Sequence, residues 1–127
     1  MLLFTYGTLK RGGKYHDYLE EASLVAEHAV AKGTLYDTGL GYPAMVPSDF
    51  EETTGEVYEV PDVLWPALDF LEDYSGDPET DLYDKITIQV QTDGGTVEAK
   101  VYVAKATELL KTRITDGHWQ VEHAVQF

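Results

Sequence analysis

The chain has 127 residues, 43% of them hydrophobic and 12% aromatic, which suits one folded core and leaves little for a second, so a single domain over residues 1–127 is expected. A formal net charge of −14 excludes binding to duplex nucleic acid or anionic membrane by charge, because neither a basic patch nor counterion release can drive it. Cysteine is absent, which removes disulfides, thiol nucleophiles and thiolate metal sites together.

Residues 2–6 form an apolar run that reads as a buried first strand, and a strand beginning at the second residue is expected to be central. Gly7, Gly12 and Gly13 make the next stretch turn-prone. The opening run has no basic lead, is far shorter than a signal segment, and nothing approaches the length of a membrane span, so the expected location is cytoplasmic. Residues 16–22 read as a short helix, and 24–36 contain a strand ending before Asp37-Thr38-Gly39-Leu40-Gly41. Tyr42-Pro43-Ala44-Met45-Val46-Pro47 must be extended or turning, since each proline disfavours helix at the residue before it. Thr54-Gly55-Glu56-Val57-Tyr58-Glu59-Val60 alternates as a strand does.

Asp62 is the expected N-cap of a helix running to about Tyr74, with Pro66 near its first turn and Ser75-Gly76-Asp77-Pro78 beyond its end. Strands over 83–91 and 96–104 flank Asp93-Gly94-Gly95, a hairpin signal because glycine takes positive φ without strain. After Lys105 the apolar residues are Leu109, Leu110, Ile114 and Trp119, and Asp116-Gly117 interrupts any single helix.

On a helical wheel of about 100° per residue, Leu64, Ala67, Leu68 and Leu71 form one apolar face. Glu72 falls at its edge, between the directions of Leu68 and Trp65, whereas Asp69 and Asp73 point more fully to the polar side. Glu72 is therefore the carboxylate most exposed to desolvation, which raises a carboxylate pKa towards the range useful for proton transfer near neutrality. Periodicity alone leaves open a bland role, with the methylenes covering the core and the head in water.

The segment Phe4-Thr5-Tyr6-Gly7-Thr8-Leu9-Lys10-Arg11-Gly12 resembles the Tyr-Gly-Ser/Thr-Leu signature of γ-glutamylcyclotransferase-like proteins. It is followed in the matching order by Gly39-Leu40-Gly41-Tyr42-Pro43-Ala44, Gly55-Glu56-Val57-Tyr58, Leu68-Asp69-Phe70-Leu71-Glu72, Tyr83 and Asp116-Gly117-His118-Trp119. The resemblance covers most of the chain, and its opening segment is also similar to the γ-glutamylamine cyclotransferase branch. It implies an α+β fold, a small, mostly antiparallel mixed β-barrel with a few short helices and a cavity between the first loop and the glutamate-bearing helix.

The reaction so implied is intramolecular acyl transfer. The free α-amine of a γ-glutamyl group attacks its own side-chain carbonyl, closing 5-oxoproline and releasing an amine or amino acid, with no cofactor and no metal. By match to the family motif Glu72 is the general acid/base. The amides around Gly7, Thr8 and Leu9 would hold the γ-glutamyl head, as successive N–H groups after a strand can cradle an anion. Tyr6, Tyr42 and Tyr83 are candidate pocket residues, Tyr83 as a hydrogen-bond donor. The partner is a small γ-glutamyl amine or γ-glutamyl amino acid, and oligomeric state is left open. Two features depart from the pattern. Many relatives have Tyr-x-Arg where this chain has Tyr83-Asp84-Lys85, which turns a bidentate contact into a point charge. The stretch Ser75-Gly76-Asp77-Pro78-Glu79-Thr80-Asp81 is long and acidic, and either disfavours acidic leaving groups or is a solvated surface loop.

Rival chemistry is poorly supported. Ser48 and Ser75 lie in no Gly-x-Ser-x-Gly turn, and His118 and His123 miss the helical spacing for shared metal ligation. The alternative from another class is a non-catalytic or regulatory module that uses the same cavity to bind a small amine or amino-acid derivative.

Overall fold

Strand β1 (Leu2–Thr5) is buried on both faces: Leu3 is fully buried and its neighbour Phe4 is 1% exposed, although successive side chains of a strand point in opposite directions. Such a strand must have structure on each side and partners on each edge. The computed structural model, which describes residues 1–72, 83–105 and 107–119, supplies both. β1 pairs antiparallel with β3 (Pro43–Glu59) and parallel with β5 (Gly95–Ala104), as a central strand does. β5 pairs antiparallel with β4 (Tyr83–Thr92), β4 with β2 (Ser23–Asp37), and β2 returns to β3, so five strands close a mostly antiparallel mixed barrel. A short β6 (Thr112–Ile114) adds to the far end of β2. Closure removes the edges that an open sheet would expose.

Phe4, Val57, Val90, Val101 and Trp119 fill one core inside the barrel. Leu3, Tyr58, Leu68, Tyr83 and Tyr102 form a second on the outer face of the same strands. Burying each such side chain stabilises the fold by about 1.5–3 kcal/mol. Helix α1 (Trp65–Leu71) covers the second core with Trp65 and Leu68. Among the described residues no helix is long and apolar enough to cross a membrane.

The hairpin expected at Asp93-Gly94-Gly95 is present, with β4 and β5 in register from Tyr83↔Ala104 to Thr92↔Gly95 and Gly95 at φ 117°. Elsewhere the structure corrects the sequence reading. The two segments around Pro43 and Val57 are one 17-residue strand, interrupted where Gly33 pairs with Pro47 and Lys32 with Glu52. Prolines at the start of a strand or at an irregularity cost no ladder bond, which is why they did not break it. The stretch 16–22 is reduced to a 3-10 turn, His16–Leu19. Asp62 is not a cap: Pro61 holds that position in extended backbone, and Asp62–Leu64 form a 3-10 turn without a side-chain cap bond. Ala67, expected on the apolar face, is exposed, and the buried face is Trp65 and Leu68, flanked by half-buried Leu64, Asp69, Leu71 and Glu72. The helix gives way at Glu72, whose N–H donates to the Leu68 carbonyl at 3.0 Å, and the expected extension to Tyr74 and the acidic stretch 75–81 lie outside the described residues.

Candidate active site

Glu72 keeps the place that the helical wheel gives it, between the directions of Leu68 and Trp65 and half-buried, at the point where α1 ends. There it joins a cavity of about 170 Å³. That holds several waters at roughly 30 Å³ each but is smaller than the roughly 300 Å³ of a drug-sized site, so it suits the head of a small ligand with the remainder outside. All seven residues singled out from the sequence line it: Glu72, Tyr6, Gly7, Thr8, Leu9, Tyr42 and Tyr83.

The carboxylate of Glu72 is half-buried, and among the described residues it accepts no hydrogen bond and meets no cation. Desolvation by burial is the cause that pushes its pKa up from 4.5 to about 7. The hydroxyls of two surrounding tyrosines are shifted upward as well. Burial first, then the negative charge of Glu72, raises the Tyr6 hydroxyl well above its ordinary value. Burial, with Tyr6, Glu72 and Tyr42 nearby, does the same to Tyr83. Both phenols stay neutral across the range in which Glu72 titrates.

The wall opposite Glu72 is the loop after β1, held at several points. Tyr15 N–H donates to the Thr8 carbonyl at 2.9 Å and Lys10 N–H to the Gly7 carbonyl at 3.0 Å. Lys10, 5% exposed, donates through Nζ to the Trp119 carbonyl at 2.8 Å. The Arg11 amide donates to Glu56 Oε1 at 2.9 Å. The carbonyls of this loop are used in its turns, whereas among the described residues the amides of Gly7, Thr8 and Leu9 donate to none of the turn and loop carbonyls. Gly7 is required for a reason the sequence did not reveal: a Cβ there would lie 2.6 Å from Cγ of Pro43, so the close approach is to that ring.

Two tyrosines have duties already. The Tyr6 hydroxyl donates to the Tyr102 carbonyl at 2.7 Å and accepts from the Met45 amide at 3.3 Å, tying β1 to β5 and β3. Tyr83 is a donor, as expected from the sequence, and its proton goes to the Pro43 carbonyl at 3.1 Å. Sequence reasoning missed Tyr15, Pro43, Leu71 and Tyr102 in the lining. For Tyr102 a signal existed: the hairpin register pairs it with Lys85, two residues from Tyr83 and so on the same face.

The rivals fare poorly by position. Ser48 Oγ accepts from the Phe50 amide at 3.1 Å on the exposed irregularity of β3, outside the cavity lining, and Ser75 lies outside the described residues. His118 Nδ1 is 2.9 Å from Thr54 Oγ1, and His123 lies outside the described residues.

A family model described as gamma-glutamyl cyclotransferase, AIG2-like, matches residues 3–121. The chain is 39% identical over 124 residues to the gamma-L-glutamyl-butirosin B gamma-glutamyl cyclotransferase of Niallia circulans, an alignment covering 96% of this chain and 79% of that relative. An AIG2-like protein of Mus musculus has a similar crystal structure, with a TM-score of 0.76 and 26% identity over 94% of this chain and 87% of its own. YkqA of Bacillus subtilis matches with a TM-score of 0.75 and 33% identity over 93% of this chain, which corresponds to 39% of YkqA.

Proposed function

From the premise that this chain belongs to the gamma-glutamyl cyclotransferase, AIG2-like family, we propose that it converts a γ-glutamyl amine into 5-oxoproline and the free amine, with Glu72 as general base and then general acid. The observation that carries this reading is a desolvated carboxylate with a pKa near 7, facing the same small cavity as the amides of Gly7, Thr8 and Leu9. A carboxylate so poised can both accept and return a proton near neutrality.

The steps balance with one protein group. The amides after β1 hold the α-carboxylate of the γ-glutamyl head or the oxyanion that develops on its carbonyl, and the cavity folds the head so that the α-nitrogen meets Cδ. Glu72 takes one proton from the α-ammonium, freeing the lone pair that forms the N–Cδ bond, and releases it to solvent. It then takes a second proton from the nitrogen now in the ring and delivers it to the departing nitrogen as the bond from Cδ to the leaving group breaks, so 5-oxoproline keeps one N–H and the amine leaves neutral. The nucleophile belongs to the substrate, so the protein supplies conformation and one proton shuttle. The acidic chain, at −14, and the aromatic lining favour a leaving group without a carboxylate of its own, which ranks γ-glutamylamines above γ-glutamyl amino acids.

The test is release of 5-oxoproline from a panel of γ-glutamylamines and γ-glutamyl amino acids by the native chain and by Glu72→Gln. General acid/base loss predicts a fall in kcat of about 10²–10⁴-fold in the variant with folding intact. Native turnover by Glu72→Gln would remove that residue from the mechanism. Saturable binding of the panel without turnover by the native chain would instead identify a binding module.

A further inference from the structure

Lys85 and Tyr102 stand directly opposite each other in the β4–β5 ladder, so their side chains emerge side by side on one face. Both reach Asp69 on α1. Lys85 Nζ donates to the two carboxylate oxygens at 2.9 and 3.1 Å, and the Tyr102 hydroxyl donates to Oδ1 at 2.7 Å. The same ammonium lies 5.0 Å from the centroid of the Trp65 ring, one turn earlier on the helix. A single cation thus touches positions i and i+4 of one helix face, while the hydroxyl approaches from the adjacent strand.

Such a grip has a particular consequence for a helix of seven residues, which has no side-chain cap bond at its start and gives way at Glu72. A helix this short does not hold an orientation by itself. Contacts at two successive turns resist rotation about its axis, and Glu72 is three residues from Asp69, on the neighbouring position of the same surface. Tyr102 continues the connection: it lines the cavity, and its carbonyl accepts the Tyr6 hydroxyl at 2.7 Å, just ahead of Gly7. The side chains of Lys85 and Asp69 remain 17% and 25% exposed, so the pair is not a deeply buried ion pair whose main effect is on stability. What three bonds to one carboxylate supply is direction.

We propose that Asp69, Lys85 and Tyr102 form a positioning device for the reaction, setting the rotation of α1 that aims Glu72 into the cavity opposite Gly7, Thr8 and Leu9. This rests on the reading of Glu72 as the proton shuttle. None of the three is itself a catalytic residue, since they act through the placement of Glu72.

The experiment compares Asp69→Asn, Lys85→Met and Lys85→Arg with the native chain at a temperature where circular dichroism shows each folded. It measures kcat and KM for a γ-glutamylamine, and follows the Glu72 side-chain titration by NMR with carbon-13 glutamate, using Glu72→Gln to assign the signal. Loss of alignment predicts a fall in kcat of about 10–100-fold for Asp69→Asn and Lys85→Met with KM changed by less than about threefold. It also predicts that both variants lower the Glu72 midpoint from about 7 towards the ordinary carboxylate range, because a carboxylate that swings out is rehydrated. A purely electrostatic influence would move the midpoint down when Asp69 loses its charge and up when Lys85 does. Lys85→Arg keeps the charge and two donors, and is expected within about threefold of native kcat.

Native kcat and midpoint in folded Asp69→Asn or Lys85→Met would overturn the proposal, as would opposite shifts in the two or an Lys85→Arg as impaired as Lys85→Met. Should Asp69→Asn not fold, Tyr102→Phe removes the hydroxyl that donates to Asp69, and native kcat from it would be equally fatal. Full turnover by Glu72→Gln would refute the shuttle reading, whereas an unmoved midpoint would refute the positioning.

Discussion

Glu72 lines a cavity together with the loop that follows β1, Glu56 accepts the Arg11 amide of the same loop, and the two are withdrawn from water to different degrees. Glu56 is 8% exposed and surrounded by donors: the Arg11 amide at 2.9 Å, the Tyr58 hydroxyl at 3.0 Å and Arg11 Nε at 3.4 Å. Glu72 is the less enclosed of the two, yet it has no donor among the described residues and its pKa rises to about 7. The difference teaches that burial alone does not mark a functional carboxylate. A buried acid given partners is a bolt, here fastening the loop to β3. One given none carries an uncompensated desolvation cost, and that raised pKa is what the proposed proton shuttle would use.

The largest effect that can break this contrast is kinetic. If Glu72 must be ionised to accept the substrate proton, kcat/KM falls towards tenfold per pH unit below its pKa, or about 50-fold from pH 7 to pH 5. A pH–rate profile of the native chain checks this, and a flat profile over that range would leave Glu72 without its role.

Next in size is a stability gain. The folded-state pKa of Glu72 lies above its ordinary value, so between 4.5 and about 7 the unfolded chain releases this proton and the folded chain keeps it. The charge therefore destabilises the fold progressively as pH rises through that window and fully above it, by as much as about 3 kcal/mol. Glu72→Gln is expected to be more stable than the native chain at pH 8 and no more stable at pH 4, as denaturant melts at the two pH values would show.

Glu56→Ala tests the other half. It strands the Tyr58 hydroxyl and the Arg11 amide, and should cost about 2 kcal/mol of stability in the same melts. Its effect on kcat should stay far below that of Glu72→Gln, and equal losses would erase the distinction. The smallest effect belongs to the exposed end of the same cluster. Glu27 accepts from Arg11 at 2.9 Å with side chains 55% and 48% exposed, and its ion pair lowers the Glu27 pKa. Glu27→Ala should leave the denaturant midpoint almost unchanged, and more nearly so in high salt.

Much of the fold was legible where its cause is local. The β4–β5 hairpin follows from two glycines between alternating runs, and β1 was readable as central because its residues are apolar on both faces. The seven candidate residues were legible as an ordered set of motifs, and all of them line one cavity. What was misread depends on neighbours. Asp69 looked like a solvent-facing acid until Lys85 and Tyr102 came to meet it, and nothing along the chain showed that the Pro43 carbonyl would accept the Tyr83 proton.

The amino-acid sequence by itself determined the strand-forming segments, the hairpin, the family and the choice of Glu72, because periodicity and motif order are written along the chain. Only the tertiary structure decided that this edge of α1 lies on the cavity lined by Gly7, Thr8 and Leu9. That depends on the packing of the helix against the barrel and on the bonds from β4 and β5 to Asp69, which no stretch of local sequence contains. Its raised pKa has the same origin, since desolvation is a property of everything that surrounds a group and not of the residue itself.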